Sequence, residues 1–316
     1  MITIFSIPKA FEGHFNIIQR NAIQSWLALE PKCEIILFGN EDGVAETANE
    51  FHLRHISKIK RNEFGTPLLN GVFKEAQVIA NYEKVAYVNA DIILLDDFIK
   101  TANKVTFPSF LMIGQRWDVD FDKPVNFNDA EWEQVMRSYV TLHGKLHGPS
   151  GVDYFIFPVG TYETIPPFAI GRPVWDNWLL YYTRLRNIPL IDATESVMVV
   201  HQNHPYAHPK GAEGLWNSPE AKENLRLAGG HSHVFTAEDV DWILSPKGLE
   251  RKKIRIQYVS RYFETLAILN PGLGSWPKIV SMLLSPKKWG GKMARRIRAF
   301  FKTSYQSQST KNKGNK

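Results

Sequence analysis

The first hundred residues alternate between short β-rich apolar runs and stretches with helical apolar spacing, and no other feature restricts the possible folds as tightly. Ile2–Ile7 is a β-rich run closed by Pro8. Phe15, Ile18, Ala22, Trp26 and Leu29 then fall three or four residues apart, on one helix face, and Pro31 ends that helix. Glu34–Phe38 reads as a second strand stopped by Gly39-Asn40, Ala45–Phe51 as a short helix, and Leu53–Ile56 as a third strand. A helix from Gly65-Thr-Pro67 to Asn81 turns Leu69, Val72, Phe73, Ala76 and Ile79 inward. Val85–Val88 is a fourth strand with Asn89-Ala-Asp91 at its end. Such alternation with short links predicts an α/β layer structure around a mixed, mostly parallel sheet. Ligands of such sheets bind beyond the carboxyl ends of the strands, where Pro8, Asn40, Asn89 and Asp91 lie.

The second half is less regular. Phe110–Gly114, Tyr154–Phe157 and Val197–Val200 read as strands. Asp129–Leu142, with Asn128 as its N-cap, and Trp175–Leu185 read as helices. Gly144–Gly151 is a loop rich in Gly and His. From Ser245 the character changes to Gly, Pro and Lys/Arg. We expect a catalytic domain over 1–245, a basic amphipathic extension over 246–302 and a disordered tail over 303–316.

Charge follows the same division. The whole chain of 316 residues carries +6. Residues 1–246 hold 21 basic and 30 acidic side chains, whereas residues 247–316 hold 17 basic and 2 acidic. The acidic body suits a bound cation, and the basic end suits an anionic surface. Cys33 is the single cysteine, which excludes a disulfide framework and a cysteine zinc site and leaves a small buried hydrophobe. No apolar run reaches membrane-spanning length, and the apolar start has no basic flank, so the expected compartment is the cytoplasm.

Asp91 closes a buried strand with its carboxylate toward the ligand crevice, and Asn89 lies on the same side of the extended chain. Together they could hold a metal–nucleotide; the competing reading is a cap on the next turn. Asp96-Asp97 read as caps of a helix over Phe98–Asn103. His201, His204 and His208 are interrupted by Pro205, so helical spacing does not group them. One histidine reaching the ion of Asp91 is the more economical arrangement. His143, His147, His231 and His233 read as ordinary loop histidines. Asp176 follows Pro173 in the first turn of a helix, where the dipole favours a carboxylate. It is also a candidate general base, with Trp175 and Trp178 as flat faces for a sugar ring. Asp153 is the rival carboxylate, and Asp192 reads as structural. No P-loop, dinucleotide fingerprint or nucleophile elbow is present.

In this order of elements the chain resembles the nucleotide-sugar-dependent glycosyltransferases of the GT-A fold, family 2-like, over roughly residues 1–235. Val-Asn-Ala-Asp91 stands at their Asp-x-Asp site, Pro149-Ser-Gly-Val-Asp153 in their glycine loop, Val-Trp-Asp176 at their x-Glu-Asp element, and Val-His201-Gln-Asn-His204 at their late histidine. Asn89 replaces the first Asp and Trp175 replaces the Glu. The resemblance implies Mn2+ or Mg2+ held by Asp91, His201 and His204, neutralising a leaving nucleoside diphosphate. It implies deprotonation of an acceptor hydroxyl by Asp176, with inversion at the anomeric carbon. Pro8, Asn40, Glu41, Asn89 and Gly151 would contact the nucleotide-sugar donor. Arg116 would meet the diphosphate or, equally, form a salt bridge.

The expected function is therefore hexosyl transfer to a saccharide or lipid-linked acceptor in surface polysaccharide or glycolipid synthesis. The basic extension would hold the enzyme peripherally on an anionic inner membrane face. The alternative from another class is a non-catalytic carbohydrate-binding or scaffold protein on a degenerate GT-A fold, motivated by Asn89. Nucleic-acid binding by the tail ranks last, because no recognised module accompanies its aromatics.

Overall fold

The computed structural model describes residues 1–204, 214 and 216–284. The described residues up to 252 form one compact unit, and the described residues from 253 on belong to a second. In chain order the first unit contains β1 (Ile2–Ser6), α1 (Gly13–Ala28), β2 (Glu34–Phe38), α2 (Val44–Glu50), β3 (Arg54–Ile56), α3 (Leu69–Ile79) and β4 (Lys84–Val88). Then come β5 (Ile92–Leu94), α4 (Asp97–Ala102), β6 (Leu111–Ile113), β7 (Arg116–Val119), α5 (Trp132–His143), β8 (Lys145–Leu146) and β9 (Tyr154–Pro158). It closes with α6 (Trp175–Leu185), β10 (Leu190–Asp192), β11 (Val199–Gln202), α7 (Pro219–Leu227), β12 (Trp242–Ser245) and β13 (Gly248–Arg251). The described part of the second unit carries α8 (Val259–Leu269) and α9 (Trp276–Leu283).

The nine-stranded sheet runs β13-β12-β10-β6-β9-β4-β1-β2-β3. Only β9 and the edge strand β13 run against the rest, so the sheet is mixed and mostly parallel, as the alternation predicts. The alternating side chains of β1 feed both faces. Ile2 and Ile4 join an aliphatic core with Trp26, Leu37, Val88 and Phe98. Phe5 joins an aromatic layer with Phe73, Tyr87 and Phe157, into which Trp175 also packs.

A second sheet, β5-β11-β7-β8, lies beyond the carboxyl end of β4. Helix α1 docks on it through an unusual set of buried polar groups. The Trp26 indole N–H donates to the Ile92 carbonyl at 2.9 Å, and the Ser25 hydroxyl accepts from the Leu94 N–H at 3.0 Å. Asn21 donates to the side chain of Gln202 at 2.9 Å, and Gln202 in turn donates to the carbonyls of Ile18 and Asp91 at 2.8 and 3.1 Å. Buried polar groups are tolerated when each finds a partner, and these partners fix where β5 and β11 sit.

Several boundaries differ from the sequence expectation. Helix α5 begins at Trp132, not Asp129, and Asn128 is not its cap. The side chains of Asn126 and Asp129 instead accept from the N–H groups of Asn128 and Glu131 and hold the chain in turns. Asp96 makes no cap bond at α4 and pairs with Lys100 and Arg137. Strand β7 and the β12–β13 hairpin carried no legible period in the sequence, and the hairpin extends the first unit to Lys252.

Trp26→Phe keeps most of the apolar volume but leaves the buried Ile92 carbonyl without its donor. We expect urea denaturation to show a loss of about 1–3 kcal/mol, with the m-value unchanged.

Candidate metal and carboxylate site

The site grows out of one strand pairing. β5 pairs antiparallel with β11 in the register Val199↔Leu94, Val200↔Ile93 and His201↔Ile92. That register sets His201 beside the link between β4 and β5, where Asp91 sits. The His204 Nε2 lies 3.0 Å from Asp91 Oδ2, and the His201 Nε2 lies 3.8 Å from the same oxygen. One ligand atom from each of Asp91, His201 and His204 can be chosen so that all lie within 4.8 Å of one another. The other Asp91 oxygen, Oδ1, is buried with no hydrogen-bond partner. Burial opposes ionisation of Asp91, but the His204 hydrogen bond and the charges of His201, His204 and Lys9 outweigh it and hold the carboxyl at about 2. An ionised carboxylate with one buried, unpartnered oxygen beside two imidazoles fits a divalent cation. His208 lies outside the described residues.

A second layer surrounds this triad. Asp118, on β7, accepts from Arg116 Nε at 2.8 Å and lies 2.6 Å from His147 Nδ1 and 3.2 Å from His201 Nδ1. Asp118 is thus the partner of the His201 nitrogen that points away from Asp91. Burial works against its ionisation, yet hydrogen bonds from His201 and His147 and the Arg116 charge hold its carboxyl well below the usual range. The His201 imidazolium is disfavoured by burial and favoured more by Asp118 and Asp91, so its pKa is raised.

Arg116 also donates to Asp153 Oδ2 at 2.7 Å, while Asn89 donates to Asp153 Oδ1 at 2.5 Å. Asp153 therefore has both oxygens occupied. Gly151 lies beneath the His147 ring, where a Cβ would come within 2.1 Å of the imidazole. The glycine at this position is what lets His147 reach Asp118. His147 is consequently part of the site and not an idle loop histidine.

Asp176 enters from another direction. It sits in the first turn of α6, two residues after Val174, whose φ of +94° is a left-handed conformation rare for a β-branched residue. Its Oδ1 accepts from the N–H of Asn177 at 2.9 Å. Burial pushes its carboxyl up to about 7, with the Asp153 charge adding to the shift. The Tyr87 phenol is driven far above its ordinary range, first by burial and then by the charges of Asp91, Asp153 and Asp176. Those three carboxylates thus share one neighbourhood.

The structure does not leave Trp175 and Trp178 as faces for a sugar. They are 5% and 6% exposed. Trp175 packs against Tyr87 and Phe155, and Trp178 stacks on Tyr182. Their place at the start of a helix put them next to Asp176 in sequence, but the helix turns both indoles into the core. Asn40 and Glu41 end β2 and are bridged by Arg61 at 2.6 and 2.8 Å; Glu41 Oε2 is buried without a partner. Pro8 ends β1, and the next residue, Lys9, was missed by sequence reasoning although it too stands beyond a strand end. Burial lowers the Lys9 pKa, with the Asp91 charge opposing, and its ammonium sits 4.4 Å from the Phe15 ring centre. The sole cysteine, Cys33, packs against the core, and burial pushes its thiol up to about 11, which disfavours the thiolate. Asp192 accepts from the Thr194 N–H and hydroxyl in a turn, which is a structural role.

No protein-family model and no curated protein matches the chain by sequence. The solved structures that resemble it include nucleotide-sugar transferases. A Desulfovibrio desulfuricans protein described as a nucleotide-diphospho-sugar transferase is 12% identical over 72% of this chain and 96% of its own, with a TM-score of 0.40. GalNAc-T7 with UDP, GalNAc and Mn2+ is 14% identical over 72% of this chain and 48% of its own, with a TM-score of 0.45. The chain spans 37% of an S. aureus TarS structure, at 12% identity over 39% of this chain and a TM-score of 0.31. At these TM-scores the functional reading rests on the chain's own residues.

Proposed function

We propose that this protein is a metal-dependent glycosyltransferase that moves a sugar from a nucleotide-sugar donor to an acceptor hydroxyl with inversion. The observation that carries the proposal is the Asp91–His201–His204 triad, with its unpartnered Asp91 oxygen at the strand ends where ligands of such sheets bind. Two imidazoles and one carboxylate suit Mn2+ better than Mg2+, which prefers oxygen ligands. Bound there, the ion would neutralise charge on the departing nucleoside diphosphate. Lys9, whose ammonium is favoured by the Asp91 charge, would add positive charge toward the same phosphates. Arg116 is held between Asp118 and Asp153, so it orients carboxylates and does not meet the donor directly. Glu41 and Asn40 would meet the nucleoside at the end of β2.

Of the two candidate bases, the hydrogen bonding favours Asp176. Asp153 is held by Asn89 and Arg116 and is poorly placed to accept a further proton. Asp176 has a carboxyl tuned to about 7, near the operating range of a general base. It would take the proton of the acceptor hydroxyl as that oxygen bonds to the anomeric carbon and the diphosphate leaves. We infer a saccharide or lipid-linked acceptor in surface polysaccharide or glycolipid synthesis. The acidic body and basic end support a peripheral address on an anionic, cytoplasm-facing membrane surface.

A panel of UDP-, GDP- and dTDP-sugars, assayed with Mn2+ or EDTA, tests the reaction. We expect turnover that EDTA removes and that Asp91→Ala lowers on the order of a hundredfold or more. Donor binding without turnover would favour the non-catalytic scaffold instead.

The Asp176 carboxyl must be ionised to act as a base, so kcat/KM should rise with pH and level off above about 7. Asp176→Asn should abolish that rise. Its folded pKa is raised above the ordinary 3.8, so ionisation opposes folding. Thermal melts of Asp176→Asn should therefore show a stability gain that grows from about pH 4 to pH 7, while activity is lost.

Asp118→Asn keeps the shape but removes the charge that orients His201. Calorimetric titration of Mn2+ into the free protein should show affinity weakened about 10–100-fold. An unchanged affinity would remove Asp118 from the site.

A further inference from the structure

The helix pair α8–α9 leaves most of the large apolar side chains of α9 outside. Its buried side chains are small or polar: Thr265 and Ala267 on α8, Pro277 and Ser281 on α9. The Ser260 hydroxyl donates to the Ser281 carbonyl at 2.9 Å across the pair. The large apolar side chains of α8 other than Tyr262, among them Phe263 and Leu266, are half-buried, whereas those of α9 are mostly exposed. Trp276, Ile279, Met282, Leu283 and Leu284 are between 43% and 62% exposed, and Tyr262 is 41% exposed. A helix of a water-soluble protein ordinarily turns such residues inward. A contiguous exposed face of this kind marks a surface that meets something apolar.

The surrounding charge says what that something is. Residues 253–316 hold 14 Lys and Arg against one acidic residue, Glu264, and the 32 residues after Leu284 hold ten basic residues and no acidic one. An apolar face flanked by unopposed positive charge matches the boundary between acyl chains and anionic headgroups, and Trp276 at its edge suits the headgroup level. Among the described residues no helix is long and apolar enough to cross a membrane. We propose that α9, with Tyr262 of α8, lies in the plane of an anionic bilayer and buries its apolar face among the acyl chains. This goes beyond electrostatic attraction of the basic end, and it does not depend on the chemistry of the candidate site.

The two contributions separate by salt. At about 0.5 M NaCl the screening length falls to roughly 4 Å, which suppresses surface attraction and leaves apolar insertion. The full chain is sedimented with phosphatidylcholine–phosphatidylglycerol vesicles at low and high salt, alongside the double variant Ile279→Glu/Leu283→Glu. Both positions are exposed, so the α8–α9 packing is untouched. We expect the native chain to stay vesicle-bound at high salt and the double variant to bind about tenfold more weakly there. Vesicles with brominated acyl chains should quench part of the tryptophan emission, and Trp276→Phe should remove that part. Equal high-salt binding by the double variant would overturn the proposal. So would release of the native chain by salt alone, which would leave only the basic end at work. Ultracentrifugation without vesicles showing a native dimer that the double variant dissociates would assign the face to a second copy instead.

Discussion

The candidate site depends on a single antiparallel pairing, His201 opposite Ile92, which brings a late strand back against the segment that follows β4. Without it Asp91 would keep only the Lys9 charge to set against the burial that opposes its ionisation. With it, two imidazoles face one carboxylate oxygen while the other oxygen has no partner. The pairing is itself held by α1, whose Asn21, Ser25 and Trp26 all engage β5 or β11 or reach Gln202. The inner face of α1 carries these polar groups among Ile18, Ala22 and Ile23, and they fix the second sheet. Fully satisfied buried networks rigidify in this way, and partly satisfied ones would not.

Around the triad the protein arranges charge in layers. Arg116 lies between Asp118 and Asp153, so three charges are removed from water together with their hydrogen bonds largely made. Such a cluster is weak evidence for stability, because desolvation offsets the attraction. Its use is geometric. It orients the ring of His201 through Asp118 and fixes Asp153 beside Asn89, leaving Asp176 as the carboxyl whose proton is loosely held near neutral pH. Burial and neighbouring charge thus push Asp91 and Asp176 in opposite directions, one toward permanent ionisation and the other toward proton exchange.

Much of the scaffold was legible because periodicity reports which face of an element is buried. Glu34–Phe38 and Trp175–Leu185 coincide with β2 and α6, and the mixed, mostly parallel sheet follows from the early alternation. Asp91 was legible because it follows β4, and His201 because it follows the apolar run ending at Val200, although the structure sets it inside β11. Asp118 was not, since Arg-Trp-Asp-Val shows no alternation and its partners His147 and His201 come from distant segments. His147 looked idle because a Gly/His loop has no period, and only the absent Cβ of Gly151 lets the ring in. Trp175 and Trp178 misled in the opposite sense. Nearness to Asp176 in sequence suggested a platform, whereas their three-residue spacing is that of a core-facing helix stripe. The surface of α9 stayed hidden as well, because an amphipathic pattern does not say which face meets water.

The most direct test of the account is anomalous diffraction at the manganese edge from crystals soaked with Mn2+ and UDP. The account predicts one strong peak within ligand distance of Asp91, His201 and His204, with the UDP phosphates on its open side near Lys9. A manganese peak elsewhere, or UDP bound with no ion at Asp91, would contradict it.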